Sequence, residues 1–185
     1  MPYINKHDKD GQCSKIGHKA EADFASLAES KGWTVSKASK RDNMYKHIDF
    51  VLRDMENFDL DQCLLVDVKS RKKTSRKDKN FNDDWIWLEL KNVQGKDGWL
   101  LGASTHIAFE RENEFVLVPR NELFTWVKKA IAERNGGKIT IKCKAKNARD
   151  AKYKYYTRWN RQDLLTQVHY DDMLKGVNNI EIWDK

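Results

Sequence analysis

The sequence contains few cysteines, and they share no recognisable arrangement. Three occur among 185 residues: Cys13, Cys63 and Cys143, with no Cys-x-x-Cys pair among them. An odd number of distant cysteines argues against a disulfide framework and against a zinc knuckle. Cys63 and Cys143 lie in apolar or alternating segments, which predicts buried thiols.

The chain also lacks a long apolar run. Residues 1–7 contain no apolar signal core, and no span of roughly 18 residues is apolar throughout. We therefore expect a soluble cytoplasmic protein with no membrane partner. Internal repeats and linkers are absent as well, so the length predicts one domain over 1–185. Within it, 1–13 is expected to be a flexible N-terminal segment and 138–185 a C-terminal elaboration.

What the sequence has in abundance is charge. Lys and Arg number 35 against 28 Asp and Glu, which gives a net charge of +7, and 34% of all residues are charged. A basic balance of this size favours a polyanionic partner such as nucleic acid, although many ordinary proteins share it. Seven Trp, seven Phe and six Tyr supply large apolar side chains for a core.

Apolar periodicity predicts an α/β fold with a central mixed sheet flanked by helices. A helix is expected over 14–30, with Ser14 as its cap and Gly32 as its stop, and a second begins at Asn121 and ends at Gly136-Gly137. A turn is expected at 41–43, a hairpin loop at 53–59 and a short helix at 170–175. Strands are predicted, from alternating or apolar runs, at 33–38, 47–53, 63–70, 85–92, 105–110, 115–119, 139–143, 152–158 and 164–168.

The most informative of these strands is Leu64–Ser70, an apolar run that contains Asp67 and Lys69. Strand side chains alternate between faces, so Asp67 and Lys69 should point the same way. Asp49 starts the preceding strand, and Glu21 lies on the first helix. An exposed salt bridge is the simplest alternative for the Asp67–Lys69 pair, and a solvated helix position is the alternative for Glu21.

Two carboxylates on neighbouring strands suit a hard divalent cation. Mg²⁺ is usually held by one or two carboxylates together with water and substrate phosphate. Asp49 and Asp67 can provide that pair, with the main-chain carbonyl of Val68 within reach. Lys69 can orient an attacking water or stabilise charge on a phosphate. His47 and Glu89 are more simply structural, although Glu89 could reach the metal site from its later strand.

This ordered set resembles the PD-(D/E)XK nuclease superfamily, the restriction-endonuclease-like fold. The family's helix glutamate, strand aspartate and (D/E)-x-K strand match Glu21, Asp49 and Asp67-Val68-Lys69, over roughly residues 15–120. The family's leading Pro-Asp is absent, and His47-Ile48-Asp49 stands in its place. The segment 17–24 followed by 32–35 is most similar to the Holliday-junction-resolvase and phage nuclease branches. The resemblance implies that Glu21, Asp49 and Asp67 hold Mg²⁺ or Mn²⁺ and that Lys69 assists the nucleophile.

Two basic segments are candidates for nucleic-acid binding. One leaves directly from the Asp67–Lys69 strand, where it could follow a phosphate backbone or be an ordinary solvated loop; its residues are Arg71, Lys72, Lys73, Arg76, Lys77 and Lys79. The other, over 142–154, interleaves lysines with Tyr153, Tyr155 and Tyr156, which suits either base stacking or a strand with one buried face. Trp85, Trp87 and Trp99 are expected in the core.

Together these features predict a Mg²⁺- or Mn²⁺-dependent DNA endonuclease that recognises DNA structure or backbone, branched DNA included, rather than base sequence. A junction resolvase would act as a symmetric pair, so a homodimer is one expectation. The alternatives are a non-catalytic nucleic-acid-binding module of the same fold and a nuclease acting on RNA.

Overall fold

The fold is organised around a mixed six-stranded sheet, with a two-stranded sheet beside it. We analysed a computed structural model, which describes residues 11–54, 63–75, 78–137 and 144–185. The helices and strands are, in chain order, α1 (Gln12–Ser30), β1 (Trp33–Lys37), α2 (Lys40–Lys46), β2 (Phe50–Asp54), β3 (Leu64–Lys69), β4 (Trp85–Lys91), β5 (His106–Glu110), β6 (Glu114–Pro119), α3 (Arg120–Arg134), β7 (Leu164–His169), α4 (Tyr170–Gly176) and β8 (Glu181–Asp184).

Strand β3 lies near the middle of the large sheet, whose order is β1-β2-β3-β5-β6-β8. It pairs antiparallel with β2 and parallel with β5. A parallel pairing requires a crossover connection. The crossover between β3 and β5 contains β4, which lies outside the large sheet and pairs with β7. The prediction of an α/β fold with a central mixed sheet is therefore confirmed.

The large sheet is buried on both faces along β6, as the alternation of its side chains shows. Phe115 and Leu117 pack beneath α1, whereas Val116 and Val118 pack against α3, β4 and β7. All four side chains are fully buried. Neighbouring residues of one strand thus contribute to two separate cores, as the period of two requires.

Helix α1 packs on the sheet through residues spaced four apart. Ala20, Phe24 and Ala28 are fully buried and form one stripe of the helix. The Phe24 ring stacks on Trp183 with ring centroids 5.7 Å apart, and it meets Phe115 edge-on at 5.3 Å. This packing fixes the rotation of α1 about its axis and so determines where Glu21, the residue after Ala20, lies.

Most predicted elements are confirmed, and three differ. Residues 41–43 belong to helix α2 instead of a turn, because Ser39 caps it by accepting a hydrogen bond from the Asp42 N–H (3.1 Å). Ser14 does not cap α1, which begins at Gln12 after a left-handed Gly11. No strand forms over 152–158 in the described chain, where isolated bridges alone connect Lys152 to Gln167, Tyr155 to Lys144 and Tyr156 to Leu165.

Several other expectations concern the ends and connections of the chain. Residues 1–10, the part of the hairpin loop beyond 54, and the predicted strand 139–143 with Cys143 lie outside the described residues. Cys63 is half-buried, so its prediction as a buried thiol is wrong. The C-terminal part adds β7 to the small sheet and β8, which was not predicted, to the large one. Among the described helices, none combines the length and apolar character that a membrane crossing requires.

Candidate active site

Asp49 lies immediately before β2 and is held there by hydrogen bonds to the chain segments on either side of it. Its N–H donates to the Val66 carbonyl (2.8 Å), and its own carbonyl accepts from the Ala38 N–H (2.9 Å). Its carboxylate accepts from the Val68 N–H through Oδ2 (2.7 Å) and from the Asn43 side chain through Oδ1 (2.5 Å). Asp49 therefore lies just before the strand rather than within it, with its carboxylate turned towards β3.

Asp67 is a buried carboxylic acid whose side chain interacts with Lys69 and Asp49. The residue is 2% exposed, and Oδ1 accepts from Lys69 Nζ at 2.5 Å, so the prediction that both side chains share a face is confirmed. Oδ2 accepts no hydrogen bond from the described residues. The pKa of Asp67 is raised to about 7: burial is the largest cause, Lys69 lowers the pKa, and the charge of Asp49 and a side-chain hydrogen bond with it raise the pKa.

Lys69 is enclosed on a second side by an aromatic ring. Its Nζ lies 5.2 Å from the ring centroid of Trp99, which itself packs edge-on against Phe109 at 6.0 Å. The lysine side chain is 24% exposed and the Asp67 side chain 3%. The pair is therefore not an exposed surface salt bridge, and its ammonium group is held in position by a carboxylate and an indole.

Glu21 faces the same cluster from helix α1. The residue is half-buried; burial raises the pKa of its carboxyl, and the charge of Asp49 raises it further, while His18, Lys37 and Lys69 lower it. Its carboxyl therefore interacts electrostatically with both Asp49 and Lys69. The alternative of a freely solvated helix position does not describe it.

His47 and Glu89, which the sequence predicts to be structural, also interact with Lys69. His47 ends α2 in the left-handed conformation, and burial followed by the charge of Lys69 lowers the pKa of its ring. Burial raises the pKa of Glu89 on β4, while Lys69 lowers it. The spacing His47-x-Asp49 was the only sequence signal for the first residue. Glu89 lies on a later aromatic strand, where the sequence predicts a structural residue that could also reach the metal site, and its electrostatic interaction with Lys69 accords with the second interpretation.

The donor set fits a hard cation that keeps most of its own water. No three His, Cys, Asp or Glu side chains of the described residues converge into a ready-made metal centre. Mg²⁺ does not need one, since one or two carboxylates suffice. A buried carboxylate oxygen without a partner is unfavourable, and a bound cation beside Asp67 Oδ2 and Asp49 would satisfy it.

The basic segment after β3 is only partly free to meet a polyanion. Arg71 is bound by Asp83, with Nε 2.9 Å from Oδ1, and its guanidinium lies 5.0 Å from the Phe81 ring centroid. Lys72 and Lys79 are exposed, Lys73 is half-buried, and Arg76 and Lys77 lie outside the described residues.

A depression of about 620 Å³ adjoins Arg71. Four carboxylates, Asp78, Asp83, Asp84 and Glu112, contribute to its lining. This acidic lining makes the depression a poor place for phosphate.

In the second basic segment the lysines and tyrosines separate. Lys144, Lys146, Lys152 and Lys154 are exposed, whereas Tyr153 is buried and hydrogen-bonds to Asp172 (2.5 Å). Tyr155 and Tyr156 are half-buried. Base stacking by Tyr153 is therefore excluded, while the lysines form a solvated cationic surface. Of the three tryptophans expected in the core, Trp85 and Trp87 are half-buried, and Trp99 forms a wall of the site.

Comparison with known proteins adds nothing to this geometry. Searches of the chain against protein-family models, curated proteins and solved structures return no match. The residues around Asp67 and their chemistry are therefore the basis for assigning a function.

Proposed function

We propose that this protein is a Mg²⁺- or Mn²⁺-dependent nuclease of the restriction-endonuclease-like type, which hydrolyses phosphodiester bonds in DNA. The observation that carries the proposal is the buried Asp67, whose free carboxylate oxygen lies beside a second acid, Asp49, and whose other oxygen holds Lys69. An acid so arranged is unfavourable for stability alone. It is well suited to a reaction that needs a cation and an ammonium side by side.

Each residue has a separate part in that chemistry. Asp67 and Asp49, with the carbonyl of Val68, would hold the metal ion, which when bound polarises the phosphate and lowers the pKa of its water. Among the described residues, Glu21 on α1 does not converge with these two acids into a three-carboxylate centre, so it would act through a water of the ion. Asn43 and the Val68 N–H orient Asp49.

Lys69 would donate a hydrogen bond to the attacking water or to a phosphate oxygen. Asp67 and Trp99 hold its side chain in one position before substrate arrives, so little ordering remains to be done when the reaction begins.

A nucleic-acid substrate is supported by charge. The net charge is +7, and exposed lysines lie on both basic segments at Lys72, Lys79, Lys144, Lys146, Lys152 and Lys154. Such side chains contact phosphates without reading bases, so we infer recognition of backbone and shape. A homodimer making paired cuts would accord with a branched substrate.

A plasmid-nicking assay tests the proposal. Supercoiled DNA is incubated with the protein in MgCl₂, MnCl₂ or EDTA, and the wild type is compared with Asp67→Asn and Lys69→Gln. Lys129→Gln serves as the control, because Lys129 is exposed on α3 with only a 3.8 Å contact to Glu133. We expect metal-dependent nicking that each site variant reduces about 100-fold or more, the usual effect of removing one electrostatic catalytic group, and that the control retains.

Two outcomes would contradict this assignment. Metal-dependent cleavage that survives both site substitutions would place the chemistry elsewhere. Absence of cleavage on duplex, branched and single-stranded DNA and on RNA, together with salt-sensitive binding, would indicate a non-catalytic binding module instead. Cleavage confined to RNA would correct the substrate and leave the site assignment intact.

A further inference from the structure

The loop between the second basic segment and β7 exposes a tryptophan almost completely. Trp159 is 89% exposed, more than any other large apolar side chain of the described residues. Tryptophan is normally among the more buried residues because of its large apolar surface. Most aromatic side chains of the described residues are buried or half-buried, so an indole left in water is a candidate contact for a partner.

The Trp159 loop, residues 157–162, is anchored by hydrogen bonds to a buried acid that follows it in the sequence. Asp163 is 1% exposed, and its carboxylate accepts from the Arg158 N–H (2.9 Å) and from Arg158 Nε. The Arg161 N–H closes a turn on the Arg158 carbonyl (3.2 Å). Trp159 is therefore presented by a loop whose base is fixed, so little conformational freedom would be lost when it contacts a ligand.

A second turn lies against this loop and widens the surface. The Gln162 N–H donates to the Val93 carbonyl (3.4 Å). Gly95, at φ +77°, approaches so closely that a Cβ there would lie 2.6 Å from Gln162 Oε1. Val93 is 38% exposed.

The charged side chains of these two turns are mainly basic. Lys91 and Lys96 are exposed on the turn, Asp97 is the one acid there, and the Trp159 loop carries Arg158 and Arg161. The Arg158 guanidinium is bound to Asp163, so Lys91, Lys96 and Arg161 supply the basic groups on the two turns beside the exposed ring. This combination suits a polyanion that also has flat faces.

Glu89 connects this surface to the candidate active site. It lies on β4, and its carboxylate interacts electrostatically with Lys69, Arg158 and Asp163 and is hydrogen-bonded by the main chain of Trp99. Its backbone is also held in place, because a Cβ on Gly98 would lie 2.6 Å from the Glu89 carbonyl oxygen. Glu89 thus links the Arg158–Asp163 pair at the base of the Trp159 loop to Lys69 and Trp99 of the candidate active site.

We propose that Trp159 stacks on an unpaired base of the DNA substrate while the basic side chains around it contact the adjoining phosphates. This inference rests on the proposed nuclease function and names the form of its substrate. Bases within a duplex are already stacked on each other, whereas unpaired bases at a fork, junction or single strand leave a face open. The exposed indole thus selects DNA with unpaired bases next to the bond that is cut.

Binding without metal tests the proposal independently of cleavage. Fluorescence anisotropy in EDTA measures the affinity for three labelled DNAs: a blunt duplex, a forked duplex with unpaired arms and a single strand. Trp159→Ala is compared with Trp159→Phe and with Ile182→Ala, an exposed apolar control on the edge strand β8 (49% exposed). We expect Trp159→Ala to weaken forked and single-stranded binding about 5- to 100-fold, the range for loss of one base–aromatic stack. We expect Trp159→Phe to retain most of the affinity and the blunt duplex to be little affected.

Three results would overturn the stacking role. These are equal affinities of wild type and Trp159→Ala for the forked DNA, a wild type that binds none of the three DNAs, and a dimer that Trp159→Ala dissociates without any change in DNA affinity. The last would assign the indole to a contact between copies of the chain. If the wild type does not nick DNA but Trp159→Ala still weakens binding to the forked DNA, the stacking role is supported and the nuclease assignment is wrong.

Discussion

Replacing Asp67 by Asn should stabilise the protein, and by an amount that depends on pH. The acid is buried and its pKa is raised from 3.8 to about 7. Asn has the size and polarity of the protonated acid, so it removes the penalty of a buried negative charge while keeping the volume.

The direction of the pH effect on the free energy of unfolding follows from the pH at which the folded and the unfolded chain each release the Asp67 proton. Below about pH 4 both the folded and the unfolded chain are protonated at Asp67, so wild type and variant should have similar free energies of unfolding. Between about pH 4 and pH 7 the unfolded chain releases the proton and the folded chain retains it, so the wild type loses about 1.4 kcal/mol per pH unit. Above about pH 7 the loss reaches a plateau of about 4 kcal/mol, which the Asn variant does not share.

Urea unfolding in EDTA at about pH 5 and at about pH 8 measures this difference. The advantage of Asp67→Asn should grow by about 2–3 kcal/mol between the two. Millimolar MgCl₂ at the higher pH should stabilise the wild type and leave the variant unchanged, since only the wild type offers the carboxylate. Glu133→Gln, exposed on α3, is the control and should change stability by less than about 0.5 kcal/mol at either pH. An advantage that does not vary with pH would refute the buried ionisation.

Three further substitutions probe the support of the site. Asn43→Ala removes the 2.5 Å hydrogen bond to Asp49, so nicking should fall by about 10-fold while urea unfolding changes by only about 1 kcal/mol. Gly98→Ala would force a Cβ to within 2.6 Å of the Glu89 carbonyl, and calorimetry should show a loss of about 1–3 kcal/mol because backbone must shift. Phe24→Ala empties the fully buried space beneath α1 and should cost about 3–5 kcal/mol in urea unfolding, whereas no loss would show that α1 is not docked on the sheet.

The sequence was sufficient where a local pattern determined structure. Alternation along β3 correctly placed Asp67 and Lys69 on one face, and the four-residue spacing of Ala20, Phe24 and Ala28 correctly predicted α1. These patterns work because the period of a strand or helix is set by its own backbone. Burial of Asp67 could also be anticipated from the apolar residues on both sides of it.

The other features of the fold and the site could not be predicted, mainly because they depend on contacts between segments that are distant in the sequence. Glu89 approaches Lys69 only because β4 leaves the large sheet and pairs with β7. Trp159 lies in a loop without periodicity, so nothing in its neighbours indicated an exposed indole. Helix α2 was missed because a seven-residue helix with no buried residue has no apolar stripe.

The pairing of β4 with β7 also has a consequence for the order in which the molecule folds. Asp49 and Asp67 are joined by antiparallel neighbours in sequence, β2 and β3, so their encounter closes only a short loop. The Trp159 surface requires β4 to pair with β7, where Trp85 lies opposite His169. This pairing closes a much longer loop, so we expect it to form later in folding. By this reasoning Asp49 and Asp67 would come together while the chain is still partly unfolded, and the Trp159 surface would be among the last parts of the molecule to assemble.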